Sequence, residues 1–294
     1  MKIVTHDSSF HTDDIFACAT LLILYPDAEI IRSRDQKVIE SADIVFDVGG
    51  IYDPQNKKFD HHQTGGAGKR ENGIPYASFG LVWKEFGEKI CGSKIVAEKI
   101  DIRLCQPIDA IDNGIEITKK IYKNVFPYTI SDFLSSYKKI DEPSEEDLYN
   151  NFIKLTGIAG ELLEREIENQ KIIEKLQKEV INAYDLSIQK EIIVLEKRVE
   201  RNIWRGVLVN FEDPIYVIYP SLDGNWKVEA VPVSLDSFES RKRFPVAWAG
   251  KQGQELVQIS GIQEVIFSHN SGFMTAVKSK EGAIALAKKA LEQE

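Results

Sequence analysis

Apolar and polar positions follow two different periods along this chain. Lys2–Thr5 is a short β-type run entering a polar segment, and Asp13–Leu24 then reads as an apolar helix. Ala28–Ser33 and Asp43–Val48 (DIVFDV) read as further strands, the second closed by Gly49-Gly50. This β-loop-α-β rhythm predicts a mostly parallel sheet flanked by helices. Pro75–Gly87 and Lys94–Gly114 read as helices, with Gly73 and Pro75 before the first and Gly114 ending the second.

Glu145–Asp185 is a long helical tract, with Leu148, Phe152, Leu155, Ile158, Leu162, Ile167, Ile172, Leu176 and Val180 spaced three to five apart. Gly157 and Gly160 are expected to kink or split it. From Glu191 the pattern turns to short β-runs, IIVLE, GVLVNF, PIYVIYP and WKVEAVPV, with turns at Glu212–Pro214 and Asp223-Gly224. Runs near Glu264–Phe267 and Thr275–Lys278 and a helix at Glu281–Leu291 follow. The expected fold is α/β: an N-terminal, mostly parallel sheet with flanking helices, a long helical connector, and a smaller C-terminal α+β domain. The domains are expected at 1–188 and 189–294, and there is no internal repeat.

Composition narrows the class. A chain of 294 residues, 43% hydrophobic and 28% charged, can bury a large core, which excludes fibrous and disordered readings. Apolar stretches such as Ile15–Tyr25 fall short of the ~20 residues of a membrane span, so no membrane partner is expected. No basic region followed by an apolar core opens the sequence, so no secretory leader is expected. Three cysteines without CxxC spacing (Cys18, Cys91, Cys105) suit a reduced, cytoplasmic protein. The net charge of −9 is uneven: residues 1–189 carry 23 basic and 32 acidic side chains, and the remainder 14 of each. That excludes a broadly basic nucleic-acid platform. It leaves either a solvated acidic surface or a carboxylate cluster that binds cations.

All five histidines lie in polar clusters. His6 and His11 sit in THDSSFHTDD with Asp13 and Asp14, His61 and His62 follow Asp60 in FDHHQ, and His269 sits in FSHNSGF. The first cluster follows the opening strand, and Asp47 ends DIVFDV before the Gly-Gly turn. Ligands of open parallel sheets bind beyond the carboxyl ends of strands. Imidazole and carboxylate at such an edge, with no thiol nearby, suit Mn²⁺, Zn²⁺ or Fe²⁺. The donors suffice for two ions, which at roughly 3.5–4 Å apart would stabilise both attacking and leaving oxygens of a phosphoryl displacement. In IDAIDNG, Asp109 and Asp112 share one helix face or cap the helix before Gly114. Asp53 reads as a turn residue ahead of Pro54.

These motifs, together with DVGGIYDPQNKKFDHHQ, NGIPYASFGLVWKEFG and RFPVAWAG, occur in an order that resembles the melanocyte-proliferating-gene (Myg) family, a branch of the DHH phosphoesterase superfamily. The resemblance covers nearly the whole chain. More distantly the sequence looks like RecJ-type exonucleases, oligoribonucleases and family II inorganic pyrophosphatases. It implies a metal-dependent phosphoester hydrolase with two divalent ions, Mn²⁺ first and Mg²⁺, Zn²⁺ or Fe²⁺ as alternatives, and a C-terminal domain that closes over substrate. Carried over by motif, the metal ligands are His6, His11, Asp13, Asp47 as the bridge, His61 and Asp112 in preference to Asp109. His11 departs from the pattern, since most relatives place Asp there with one residue fewer before it. Asp60 and His62 are implied at the reaction centre, His62 nearer the scissile phosphate. His269, Gly272, Arg241 and Arg243 are implied to hold substrate phosphate, although basic residues on such a loop also suit a solvated face. Trp248 suits a stacked base or, better, the core. The expected reaction is 3′-5′ exonuclease or phosphodiesterase action on RNA or short oligonucleotides. A small-molecule phosphatase or pyrophosphatase, and a non-catalytic metal-binding protein, are the alternatives. The 145–185 helix could serve either a homodimer or its own domain.

Overall fold

The computed structural model describes residues 1–119, 121–138 and 141–293. They form two compact units, Met1–Lys171 and Ile172–Glu294.

The first unit runs β1 (Lys2–Thr5), α1 (Thr12–Leu24), β2 (Glu29–Arg32), α2 (Gln36–Glu40), β3 (Ile44–Phe46), β4 (Tyr52–Asp53), β5 (Lys58–Phe59), α3 (Ser78–Cys91), α4 (Lys94–Ile100), α5 (Gln106–Asp112) and α6 (Ile130–Ser135). It takes in most of α7 (Glu145–Leu186). The sheet order is β2-β1-β3-β5-β4, parallel except for β4. Strand alternation divides the core: Ile3, Ile44 and Phe46 pack with α1 and α3 residues such as Phe16 and Phe79, while Val4 and Val45 pack with Ile39 and Val48. A strand buried on both faces explains the continuous apolar runs. The two-residue strands β4 and β5 are too short to leave a periodic signal. Asp53 does form a turn there, accepting from Asn56 Nδ2 at 2.6 Å ahead of Pro54.

The single helix expected over 94–114 is interrupted by a π-helical turn at Asp101–Cys105. Pro107 explains it, because a residue without N–H cannot close the ladder one turn back. A buried brace then ties α5 to α3. Arg70 Nη1 lies 2.8 Å from Asp109 Oδ2, and Gly80 N donates to Asp109 Oδ1 at 3.0 Å. Arg70 is further clamped by Asp101 (Nε 3.0 Å, Nη2 2.6 Å) and stacks on Tyr76.

Helix α7 is continuous past Gly157 and Gly160, contrary to the expected split. Leu148, Phe152, Leu155, Ala159, Leu163 and Ile167 pack into the first core, and Val180 into a core of the second unit. The division between units therefore falls within α7, after Lys171, ahead of the 188–189 point at which the sequence pattern changes.

The second unit contains β6 (Ile192–Val194), α8 (Arg201–Leu208), β7 (Tyr216–Pro220), β8 (Trp226–Ala230), α9 (Gly253–Ser260), β9 (Val265–Ser268), β10 (Met274–Val277) and α10 (Lys280–Glu292). Its sheet, β6-β7-β8-β10-β9, is antiparallel except for β6–β7. GVLVNF is not a strand: its first residues complete α8, whose Ile203, Trp204, Val207 and Leu208 form one buried face at helical spacing. Trp248 is core, stacked near Phe244. Among the described residues, no helix is long and apolar enough to cross a membrane.

A Cβ on Gly80 would stand 1.8 Å from Asp109 Oδ2. Gly80→Ala is expected to cost about 1–3 kcal/mol, the scale of core overpacking, read as a lower urea midpoint. An unchanged midpoint would mean that the brace does not hold the two helices in register.

Candidate metal centre

Each site residue lies at the end or start of an element at one edge of the first sheet. β1 ends at Thr5 and delivers His6. α1 starts beside His11 and carries Asp13 and Asp14 in its first turn. β3 delivers Asp47, β5 delivers Asp60-His61-His62, and α5 ends with Asp112.

Asp47 is the hub. It is buried and adopts φ +55°, a left-handed conformation that Asp tolerates better than most residues but that remains costly. Ser78, the first residue of α3, donates to its Oδ1 at 2.9 Å. The two carboxylate oxygens face different imidazoles: Oδ2 lies 3.2 Å from His6 Nε2 and Oδ1 3.3 Å from His61 Nε2. His61 Nε2 is also 3.4 Å from Asp112 Oδ2 and 3.8 Å from Asp13 Oδ2, and His6 Nε2 is 3.0 Å from Asp14 Oδ2. Three sets of donors gather within 4.8 Å: His6, His11, Asp14 and Asp47; Asp47, His61 and His62; and His11, Asp13 and Asp112.

The electrostatics follow from crowding. Burial, then Asp47 and Asp112, push the Asp13 carboxyl well above the usual range. Burial likewise raises Asp14, against the pull of His6. Burial would lower His6, but Asp14 and Asp47 raise it to about 10. Burial would raise Asp47, yet the imidazoles of His6 and His61 take it far below the usual carboxylate range. Two like charges 4 Å apart at an effective dielectric near 20 repel by about 4 kcal/mol, so this cluster requires positive charge within it.

A divalent ion fits that requirement. Both Asp13 oxygens, Asp14 Oδ2, His6 Nε2 and His61 Nε2 are buried yet make no hydrogen bond of acceptable geometry. His6 Nδ1 meets the Asp7 carbonyl at 2.8 Å. An N–H at Nδ1 leaves Nε2, which carries a proton while only carboxylates face it, as the nitrogen an ion would take, the usual arrangement of a metal-binding histidine. The donors are all nitrogen and oxygen, while the three cysteines are buried in the core.

The geometry sorts the sequence-derived residues. His6, His11, Asp13, Asp47, His61 and Asp112 come together. Asp109 is instead part of the Arg70 brace, which separates it from Asp112. Asp60 is not free to meet a substrate or ion: Oδ1 accepts from the His61 and His62 N–H groups (2.7 and 3.1 Å) and contacts His62 Nδ1 (2.7 Å), and Oδ2 accepts from Gly50 N at 2.5 Å. It positions the loop, and the glycine φ of +66° at Gly50 permits that approach. His62 remains 58% exposed, its pKa raised by the Asp60 contact. Asp14 and Ser78 were not expected as site residues. Asp14 could have been found from the paired carboxylates of Thr12-Asp13-Asp14, whereas Ser78 carries no sequence signal. A cavity of about 550 Å³ adjoins the cluster, lined also by Asn113, Ser131, Ser135 and Lys138.

In the second unit, Arg241 corrects another expectation. Its guanidinium donates to the carbonyls of Val209, Glu212 and Pro214 (2.9–3.1 Å), which commits three of its five N–H groups to bracing a loop. Arg243 lines a cavity of about 420 Å³ with Arg201, Arg205, Ser240, Ser271 and Phe273. Arg201 and Arg205 lie just ahead of the GVLVNF run, and reading that run as a strand hid the helix that brings both to this wall. His269 lies beside this wall, its Nδ1 accepting from Ser271 N at 3.1 Å and its ring 4.5 Å from Phe273. Gly272 turns at φ +63° with its N–H on the His269 carbonyl, and a Cβ there would come 3.3 Å from the Phe244 carbonyl.

Residues 2–291 match the family described as "Uncharacterised protein family (UPF0160)". "MYG1 protein" of Dictyostelium discoideum is 32% identical over 100% of this chain and 97% of its own. The chain belongs to the MYG1 family. "MYG1 protein C27H6.8" of Caenorhabditis elegans is 33% identical over 99% of this chain and 95% of its own, and "MYG1 exonuclease" of Homo sapiens 29% over 99% and 86%. Among solved structures, RecJ from Thermus thermophilus in complex with Mn²⁺ aligns with all of this chain and 52% of that one at 12% identity, with a TM-score of 0.28, a slight likeness.

The two loop arginines should separate experimentally. Arg241→Ala is expected to lower stability by about 1 kcal/mol, because three loop carbonyls, two of them in part-buried bonds, lose their donor, seen as a shifted denaturation midpoint. Arg243→Ala should stay within about 0.5 kcal/mol of the parent. The reverse pattern would contradict the assignment of Arg241 as a brace.

Proposed function

We propose that this MYG1-family member is a metal-dependent phosphoester hydrolase, a 3′-5′ exonuclease or phosphodiesterase acting on RNA or short oligonucleotides. The observation that carries it is the cluster of buried, unsatisfied imidazole and carboxylate donors around Asp47. The name "MYG1 exonuclease" borne by the human relative supports the nuclease class.

His6, His11, Asp13, Asp47, His61 and Asp112 would hold two divalent ions, Mn²⁺ in the first instance, with Zn²⁺ and Fe²⁺ suited to the same mixed nitrogen and oxygen donors. The ions, when bound, supply Lewis-acid charge that activates a water and offsets charge on the phosphoryl oxygens. Asp47 turns one oxygen toward each imidazole, so it is the residue placed to serve both positions. Asp14 orients His6 and the start of α1, its Oδ1 accepting from His11 N at 2.9 Å. Asp60 fixes His62 through Nδ1, leaving Nε2–H to donate to a phosphoryl oxygen. Arg243, His269 and the Gly272 turn would hold substrate phosphate in the second unit, where an Arg fork suits bidentate recognition.

The test is hydrolysis of a 5′-labelled short RNA by metal-stripped protein with Mn²⁺, Mg²⁺, Zn²⁺ or no ion restored. The expected result is a Mn²⁺-dependent ladder shortening from the 3′ end. Absence of cleavage with every ion, alongside turnover of a small phosphoester, would overturn the nuclease reading. His62→Ala should lower kcat on the same RNA by roughly 10²–10⁴-fold, with metal content unchanged. Full activity would remove His62 from the site.

A further inference from the structure

Between α5 and α6, the described residues 114–119 and 121–129 form an irregular strap whose two ends frame the metal-centre cavity. Asp112 and Asn113 line the cavity on the side where the strap begins, and Ser131 and Ser135 where it ends. The strap groups large apolar side chains at the surface: Ile121 is 82%, Tyr122 70%, Phe126 60% and Tyr128 73% exposed. Grouped exposure on this scale marks an interaction surface. The charge is also reversed. In a unit with excess acid, the sequence of this segment interleaves its rings with Lys119, Lys120 and Lys123 against a single acid, Glu116. Lys119 and Lys123 are exposed, and a turn at Tyr122–Val125, with Asn124 at φ +61°, breaks the strap midway.

We propose that the strap is the landing surface for a single-stranded nucleic acid whose end lies in the metal-centre cavity. Bases stack on Tyr122 and Tyr128, while Lys119 and Lys123 meet the backbone phosphates. Interleaved rings and cations are the recurring chemistry of strand binding without sequence preference. A duplex would not fit it, because paired bases offer no faces to the rings. This inference rests on the nuclease reading, but a binding measurement can fail separately from it.

The experiment is fluorescence anisotropy of a labelled 12-nucleotide RNA with the full chain, Ca²⁺ replacing Mn²⁺ so that the strand persists. Tyr122→Ala/Tyr128→Ala should raise Kd at least about tenfold, since each stacked base contributes strongly. Tyr122→Trp/Tyr128→Trp should bind like the parent, and Lys119→Glu/Lys123→Glu should weaken binding and flatten its salt dependence. Turnover of bis(p-nitrophenyl) phosphate with Mn²⁺ should be unchanged in all three. No binding by the parent, an unchanged Kd in the alanine variant, or equal loss of small-phosphodiester turnover would each overturn the proposal. RNA cleavage that ignores the strap would sink the strap alone. Strap-dependent binding without RNA cleavage by any ion would sink the nuclease reading alone.

Discussion

The buried carboxylate of Asp47 is the constraint on which the first unit depends. It sits at the end of β3 in a left-handed conformation, held by the Ser78 hydroxyl, with one oxygen toward His6 and the other toward His61. Every neighbouring element contributes to that arrangement. β1 and β5 bring the imidazoles, and α3 brings Ser78. α5 brings Asp112 and is kept beside α3 by the Arg70–Asp109–Gly80 brace. Collecting these carboxylates in low dielectric is costly unless positive charge lies among them, since hydrogen bonds such as those from Ser78 and His11 N reach only some of their oxygens. The fold and the proposed chemistry therefore share one cause.

Two polar groups, one in each unit, brace the loops that carry them. Asp60 spends both oxygens on the turn that carries His61 and His62, and Arg241 commits three of its N–H groups to carbonyls. Both belong to segments that look chemical in sequence, and both are structural in geometry. Their neighbours, His62 and Arg243, are the exposed groups. Bracing residues next to reactive ones is how a site on loops reaches the precision that catalysis needs.

Much of this was legible in sequence. The order of strands and helices in the first unit follows from periodicity, and the His-Asp motifs mark the edge where they meet. What was not legible has physical reasons. β4 and β5 are two residues each, below any period. Pro107 forces a π turn into what reads as one helix. GVLVNF carries β-branched residues, yet its register belongs to the amphipathic face begun by Ile203 and Trp204, so packing overrides propensity. Asp109 and Asp112 share a helix face in sequence, and only the position of Arg70, distant in the chain, distinguishes them. Ser78 has no local signature at all, because its role is defined by a partner 31 residues away.

The most direct test of the account is the stoichiometry of Mn²⁺ bound to metal-stripped protein, followed by calorimetric titration for the parent and for Asp47→Asn, with circular dichroism as the check on folding. If Asp47 organises a two-ion centre, the parent takes up two ions per chain and the folded Asp47→Asn chain fewer than one. A parent that binds none, or an Asp47→Asn chain that still binds two at the parent's affinity, would contradict it.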